Sequence, residues 1–156
     1  MHAQLTQAPG EPTPIGAILE SWLQHTPALA RHEEVEAVYA IGHAYYARED
    51  FRRAADVFRL LVLTRPQEAR GWTALGACHD AVDEPEHAEA LYEAALLAPL
   101  GDVDRDRARV FLARLLASQG RDEEARAHVD ALEGLELADV LDAELSTLHR
   151  RWRGAP

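Results

Sequence analysis

The stretch Gly71–Pro99, GWTALGACHDAVDEPEHAEALYEAALLAP, decides how the chain is read. Trp72 is followed by Leu75 and Gly76, and then by Ala88, Tyr92, Ala95 and Pro99. Apolar and small residues recur at helical spacing in two blocks, interrupted at Asp83-Glu84-Pro85. Two helices joined by a short turn satisfy that pattern. Pro85 begins the second one, where a missing N–H costs nothing because it would have no intrahelical partner. The small residues Gly76 and Ala88 let the two helices cross closely, while the large residues fill the gap between one hairpin and the next.

This order of a large residue, Leu-Gly, a small residue, an aromatic and a closing proline is that of a tetratricopeptide repeat (TPR). Six landmarks match, and the proline comes one residue early. The pattern recurs 34 residues upstream as Val38, Ile41, Gly42, Tyr45, Ala54, Phe58, Leu61 and Pro66, with Asp50 placed to cap the second helix. A degenerate third copy aligns on Leu112, Ala113, Gly120 and Ala125, with Val129 in the aromatic slot. Arg109 stands there in the usual Trp position, which predicts looser packing, and about three extra residues are expected in the loop Leu100–Arg105.

The expected fold is all-α: a TPR helical-hairpin stack of three repeats with an N-terminal helix and a C-terminal capping helix, about eight helices in all. The TPR domain is expected over 31–153, with repeats over about 35–66, 69–100 and 106–136 and a terminal helix over 137–152. That helix carries Leu137, Val140, Leu141, Leu145 and Leu148, covers the open end of the stack, and is followed by a basic, frayed RRWRGAP. Residues 1–13 show no periodicity and read as a disordered tail. Thr13 and Pro14 then start a helix over 14–30, whose face Ile15, Ile18, Leu19, Trp22 and Leu23 either caps the first repeat or meets a second copy in a homodimer.

The formal net charge of −11 argues against nucleic acid as the main partner. All sixteen basic residues are Arg, a mark of codon usage and not of mechanism. From Gly71 to Asp104 the chain has eight acidic residues and no Lys or Arg, which is a solvated face or a docking patch for a basic partner. The single Cys, Cys78, fits a reducing compartment. No segment is apolar enough to span a membrane, and the N-terminal residues lack a signal-like apolar run, so a cytosolic location is expected.

Sequence signatures of catalysis are missing: no GxxxxGK[ST], GxSxG, HExxH or CxxC occurs, and no enzyme activity or cofactor is expected. His79 and Asp83 lie four apart and could share a metal, but His79 fills a repeat position usually buried, so a packed, hydrogen-bonded histidine is expected and no metal.

What remains is the inner surface. A TPR stack exposes fixed positions of each first helix on its concave side. These are Glu36, Tyr39, His43, Tyr46 and Ala47 in the first repeat, and Arg70, Thr73, Ala77, Asp80 and Ala81 in the second. In the third they are Arg107, Val110, Arg114, Ala117 and Ser118. The row Tyr39, His43, Tyr46 beside small alanines suits an extended apolar peptide, unless a terminal helix covers it. Glu36 and Asp80 oppose the basic inner pattern of carboxylate-clamp TPR domains.

With that row placed, the segments AVYAIGHAYYAREDFRRAADVFRLLVL, RGWTALGACHDAVDEPEHAEALYEAALL and ASQGRDEEARAHV resemble the class II chaperones of type III secretion systems, the SycD/LcrH and IpgC type. The likeness covers residues 30–133 or so, with LGAC, Ala81 and Tyr92 its most specific part. It implies a cytosolic bacterial chaperone that holds hydrophobic translocator proteins in its groove before export. It also implies groove aromatics at Tyr39, His43, Tyr46 and Phe51, His43 replacing what is commonly an aromatic, and dimerisation through the N-terminal helix. The alternative is a general TPR adaptor, or a chaperone for another secreted subunit. A regulatory or enzyme subunit carrying a TPR module is a third reading, weakened by the lack of a second domain.

Overall fold

A computed structural model describes residues 31–154 apart from Glu133 and Ala138. Residues 1–30 lie outside the described residues, so the expected tail, the Thr13-Pro14 helix start and the stripe from Ile15 to Leu23 do too. Seven helices make up the described chain: α1 (His32–Ala47), α2 (Phe51–Thr64), α3 (Ala69–Ala81), α4 (Pro85–Leu97), α5 (Asp102–Ser118), α6 (Asp122–Asp130) and α7 (Asp139–Arg153). The first six pair as three antiparallel hairpins stacked in chain order, and α7 lies against α5. This is an all-helical TPR stack.

Local chemistry sets the helix boundaries. The Asp50 carboxylate accepts from the Arg53 N–H at 3.3 Å and caps α2. Pro85 occupies the first turn of α4. Each turn within a hairpin bends at one left-handed residue: Glu49 (φ 61°), Asp83 (φ 60°) and Gly120 (φ 78°). A small backbone clasp ties the connection between the first and second hairpins to the connection between the second and third. Ala69 N–H donates to Leu100 O at 2.9 Å, and Leu100 N–H donates to Gln67 O at 3.0 Å.

The hairpins close on aromatic rings pressed against glycine. A Cβ added to Gly76 would sit 2.7 Å from the Tyr92 ring, and one added to Gly42 would sit 2.5 Å from the Phe58 ring. Tyr92, Ala88 and Ala95 of α4 are fully enclosed, and with Ala108, Leu112, Ala113 and Leu116 of α5 they form the main core. Burying such side chains contributes about 1.5–3 kcal/mol each for the larger ones. Trp72 seals the edge of this cluster and donates its indole N–H to Pro66 O at 2.8 Å.

The third repeat departs from expectation in two ways. The extra residues do not lengthen the loop Leu100–Arg105; they add a turn to α5, which starts at Asp102 after Gly101 takes a left-handed conformation (φ 92°). Asp102 and Asp104 occupy that first turn, where the helix dipole favours acids. Nor is the packing loose. Ala108, Val110, Leu112, Ala113, Leu115, Leu116 and Ala117 are all buried, because α5 is covered by α4 on one side and by α6 and α7 on others.

The ends of the stack also differ from the pattern. Ile41 is 51% exposed whereas its counterpart Leu75 is buried, since α1 has no preceding hairpin among the described residues. In α7, Leu141 and Leu148 are buried, but Val140, expected on the same apolar face, is 72% exposed. The RRWR segment is not frayed: α7 runs to Arg153, and Trp152 donates its indole N–H to Asp122 at 2.9 Å.

The ring-on-glycine contact can be tested by Gly76→Ala. The added methyl forces Tyr92 out of a site with no free space, which outweighs alanine's better helix propensity. Urea unfolding should show a loss of about 1–3 kcal/mol; an equal or higher midpoint would mean that Tyr92 has room to move.

Candidate functional site

Three first helices, α1, α3 and α5, present one face to a common concavity. Its deeper part, about 310 Å³, is lined by Tyr39, His43 and Tyr46 of α1, by Phe58, by Arg70, Thr73, Ala74 and Ala77 of α3, and by Asp104, Arg107 and Phe111 of α5. A second depression of about 300 Å³ continues from it, lined by Tyr46, Ala77, Asp80, Ala81, Arg114, Leu115 and Ser118. Tyr46 and Ala77 belong to both, so the two are successive parts of one groove. No residue of α7 lines either part, so among the described residues no terminal helix covers the aromatic row.

The aromatic row is held from below and from the side. Tyr39 packs its ring 5.7 Å from that of Phe58, and the Arg70 guanidinium lies over the Tyr39 ring, 3.5 Å from its centroid. Tyr46 meets Phe51 edge-on at 5.1 Å. His43 is exposed, with its ring 6.2 Å from Tyr39. Burial raises the Tyr46 pKa, so the phenol stays neutral and offers an apolar face with a polar tip.

The groove is crossed by arginines that are already engaged. Arg70 binds both carboxylate oxygens of Glu36, the second at 3.1 Å. Burial is the largest single effect and works against the Arg70 charge, but the hydrogen bond and charge of Glu36, together with Tyr39, exceed it and the pKa is raised. Arg114 donates to Asp80 at 2.6 Å and reaches Glu144 of α7 at 3.5 Å. Arg107 donates to Asp104 at 3.0 Å, where burial raises the carboxyl pKa despite the neighbouring charge. Within the acidic run, Asp80, Asp104 and Glu89 pair with Arg114, Arg107 and Arg121, while Asp83, Glu86 and Glu93 are exposed.

Three expected groove residues, Val110, Ala117 and Phe51, stand elsewhere. Val110 is fully buried with Leu132 and Leu141, and Ala117 is buried in the main core. Phe111 takes the place of Val110 in the groove, one position later, and Ser118 lines it as expected. The inner face of α5 is thus Asp104, Arg107, Phe111, Arg114 and Ser118. Thr73 touches the groove but is 3% exposed; its hydroxyl donates to Ala69 O at 2.9 Å and to Asp104 O at 3.0 Å, which makes it a brace between α3 and α5. Phe51 lines a different cavity of about 490 Å³, with Arg52, Asp56, Arg59, Cys78, His79 and Glu84. That cavity is larger than either part of the groove but is lined mostly by charged groups. Burial pushes the Cys78 thiol up to about 12, leaving it unreactive.

Phe58, Phe111 and Asp104 were not foreseen as groove residues. Phe58 was legible only as a repeat landmark, and the other two became inner residues through the extra turn of α5.

Neither a protein-family model nor a curated protein matches the chain. Solved structures do. The chain is similar to the Yersinia enterocolitica type III secretion chaperone SycD, solved with a peptide of the translocator YopD, at 19% identity and TM-score 0.62 over 78% of this chain and 97% of that one. It is similar to PcrH, solved with the chaperone-binding region of PopD, at 21% identity and TM-score 0.65 over 79% and 91% of the two chains. The Sgt2 TPR domain of Aspergillus fumigatus matches at 20% identity and TM-score 0.63 over 81% and 83%. At these identities the likeness establishes a shared TPR fold.

Asp80 ties the groove together, since it accepts from Arg114 and, at 3.4 Å, from the buried Tyr92 hydroxyl. Asp80→Ala leaves that hydroxyl without a partner and should destabilise the protein by about 1–3 kcal/mol in urea unfolding. A change below about 0.5 kcal/mol, the range of ordinary surface substitutions, would make the pair decorative.

Proposed function

We propose that this chain is a non-enzymatic chaperone that holds an extended apolar segment of a secreted translocator protein in the groove of α1, α3 and α5. The observation that carries the reading is the groove's chemistry: the rings of Tyr39, Tyr46, Phe58 and Phe111 beside the small Ala74 and Ala77, with every arginine in it paired to an acid. Paired arginines have little left to offer a terminal carboxylate, whereas aromatic faces and shallow depressions accept apolar side chains of an extended peptide. Likeness of fold to SycD and PcrH, each solved with a translocator segment, supports the same reading. Client binding would replace water on apolar side chains with ring faces, and release would follow from competition at the export machinery. A cytosolic location goes with this role; among the described residues no helix is long and apolar enough to cross a membrane.

The second reading, a general TPR adaptor, is favoured by the similarity to a fungal TPR domain. Co-expression with the hydrophobic secreted proteins encoded beside its gene separates the two. The translocator reading expects soluble, co-purifying clients; clients that remain insoluble and unbound would leave only the adaptor.

Within either reading, the double substitution Tyr39→Ala and Tyr46→Ala should abolish co-purification of the client while far-UV circular dichroism stays unchanged. Two lost aromatic anchors of about 2 kcal/mol each weaken binding by tenfold or more per residue. Loss of helical signal instead would make them core residues. The stripe Ile15, Ile18, Leu19, Trp22 and Leu23 remains assigned to a homodimer contact: Trp22→Glu should lower the mass in solution to that of a monomer, and an unchanged mass removes the assignment.

A further inference from the structure

We propose that the turn between α3 and α4 is a binding site for a divalent transition cation of the zinc type, with His79, Glu84 and His87 as its protein ligands. Sequence reasoning paired His79 with Asp83 and expected no metal. The fold pairs His79 with a different carboxylate. His79 Nδ1 lies 2.5 Å from Glu84 Oε2, and His87 Nδ1 lies 3.7 Å from the same oxygen. The three residues place one ligand atom each within 4.8 Å of one another, and they are the one such His/Cys/Asp/Glu trio among the described residues.

Backbone geometry fixes this trio before any ion arrives. His79 sits in the last turn of α3, Glu84 immediately precedes α4, and His87 lies in the first turn of α4. The connection is closed by Glu84 N–H donating to His79 O at 3.0 Å and Asp83 N–H donating to Asp80 O at 3.2 Å, with Asp83 itself left-handed. The two imidazole rings lie with their centroids 5.4 Å apart and their planes tilted by 46°. Four tetrahedral donors bound at about 2.0–2.2 Å stand about 3.3–3.5 Å apart. Reaching that spacing requires the Glu84 oxygen to move under about 1 Å from His79 and His87 to swing in slightly. His87 can do so, since its side chain is 72% exposed.

Donor type narrows the ion. Two imidazole nitrogens and one carboxylate favour zinc and its first-row neighbours over magnesium or calcium, which take oxygen ligands. Three protein ligands leave a fourth position for water or an added ligand. His79 and Glu84 also line the 490 Å³ cavity, so that position has open space beside it. The arginine nearest by sequence in that cavity, Arg59, is neutralised by Asp56 at 2.6 Å. A bound ion would bridge the two helices of the second hairpin.

The test uses the full chain without an affinity tag, stripped with a chelator and titrated calorimetrically with zinc chloride, with magnesium chloride as the comparison. One equivalent of zinc should bind and magnesium should not. Glu84→Gln and His87→Ala should each weaken zinc at least tenfold with the helical circular dichroism unchanged. Both substitutions are gentle: the Glu84 side chain makes no cap bond to α4, and His87 is exposed. Cobalt(II) should give the visible absorption of a tetrahedral site, lost in either variant. No zinc heat, equal binding of magnesium, or zinc binding within threefold of wild type in both variants would overturn the site.

Discussion

Everything else in this stack depends on a ring lying flat where a side chain would be. Tyr92 against Gly76 and Phe58 against Gly42 bring the two helices of a hairpin closer than any Cβ would allow. Because the aromatic is on the second helix and the glycine on the first, the contact sets both distance and rotation. The same contact made twice gives the first two hairpins the same geometry. Equivalent residues of successive first helices then face each other, which is why Glu36 and Arg70, in the same repeat position 34 residues apart, can form an ion pair.

Helix α3 shows how much follows from that rotation. Leu75 and Gly76 go to the core, Thr73, Ala77 and Asp80 go to the groove side, and Cys78 and His79 go to the cavity lined by α2. One helix serves three surfaces because its 100° step per residue distributes neighbours among them. Residues adjacent in sequence can therefore have unrelated roles. A substitution at Ala77 changes the groove without entering the core, whereas one at Gly76 does the reverse.

The repeats themselves were legible because Trp72, Leu75-Gly76, Ala88 and Tyr92 answer to one packing requirement each, and because that requirement recurs at a fixed offset. The first two inner faces followed from the same offset. In the third, Arg107, Arg114 and Ser118 also line the groove, but Val110 and Ala117 turn into the core, where α5 is covered by α6 and α7. Val110 and Phe111 exchange roles for that reason alone. The resemblance places Phe51 in the groove, but its ring meets Tyr46 edge-on and lines the neighbouring cavity. His87 escaped notice because its partner His79 is eight residues away across a helix break, a spacing that no single-helix periodicity brings together.

Charge pairing decides what kind of ligand the groove can favour. A chain with a net charge of −11 ought to repel an acidic partner at long range. Inside the groove, however, Glu36, Asp80 and Asp104 are matched by Arg70, Arg114 and Arg107, so little of either sign is left to select for charge. Half-exposed ion pairs like these contribute little to stability, and their larger effect is to withhold the arginines from other anions. What a passing chain meets is then a strip of ring faces with room between them. Affinity in such a place grows with apolar area removed from water, about 25 cal/mol per Å² before the cost of ordering the peptide. Selectivity arises because a charged side chain seated there would lose its hydration and gain no partner.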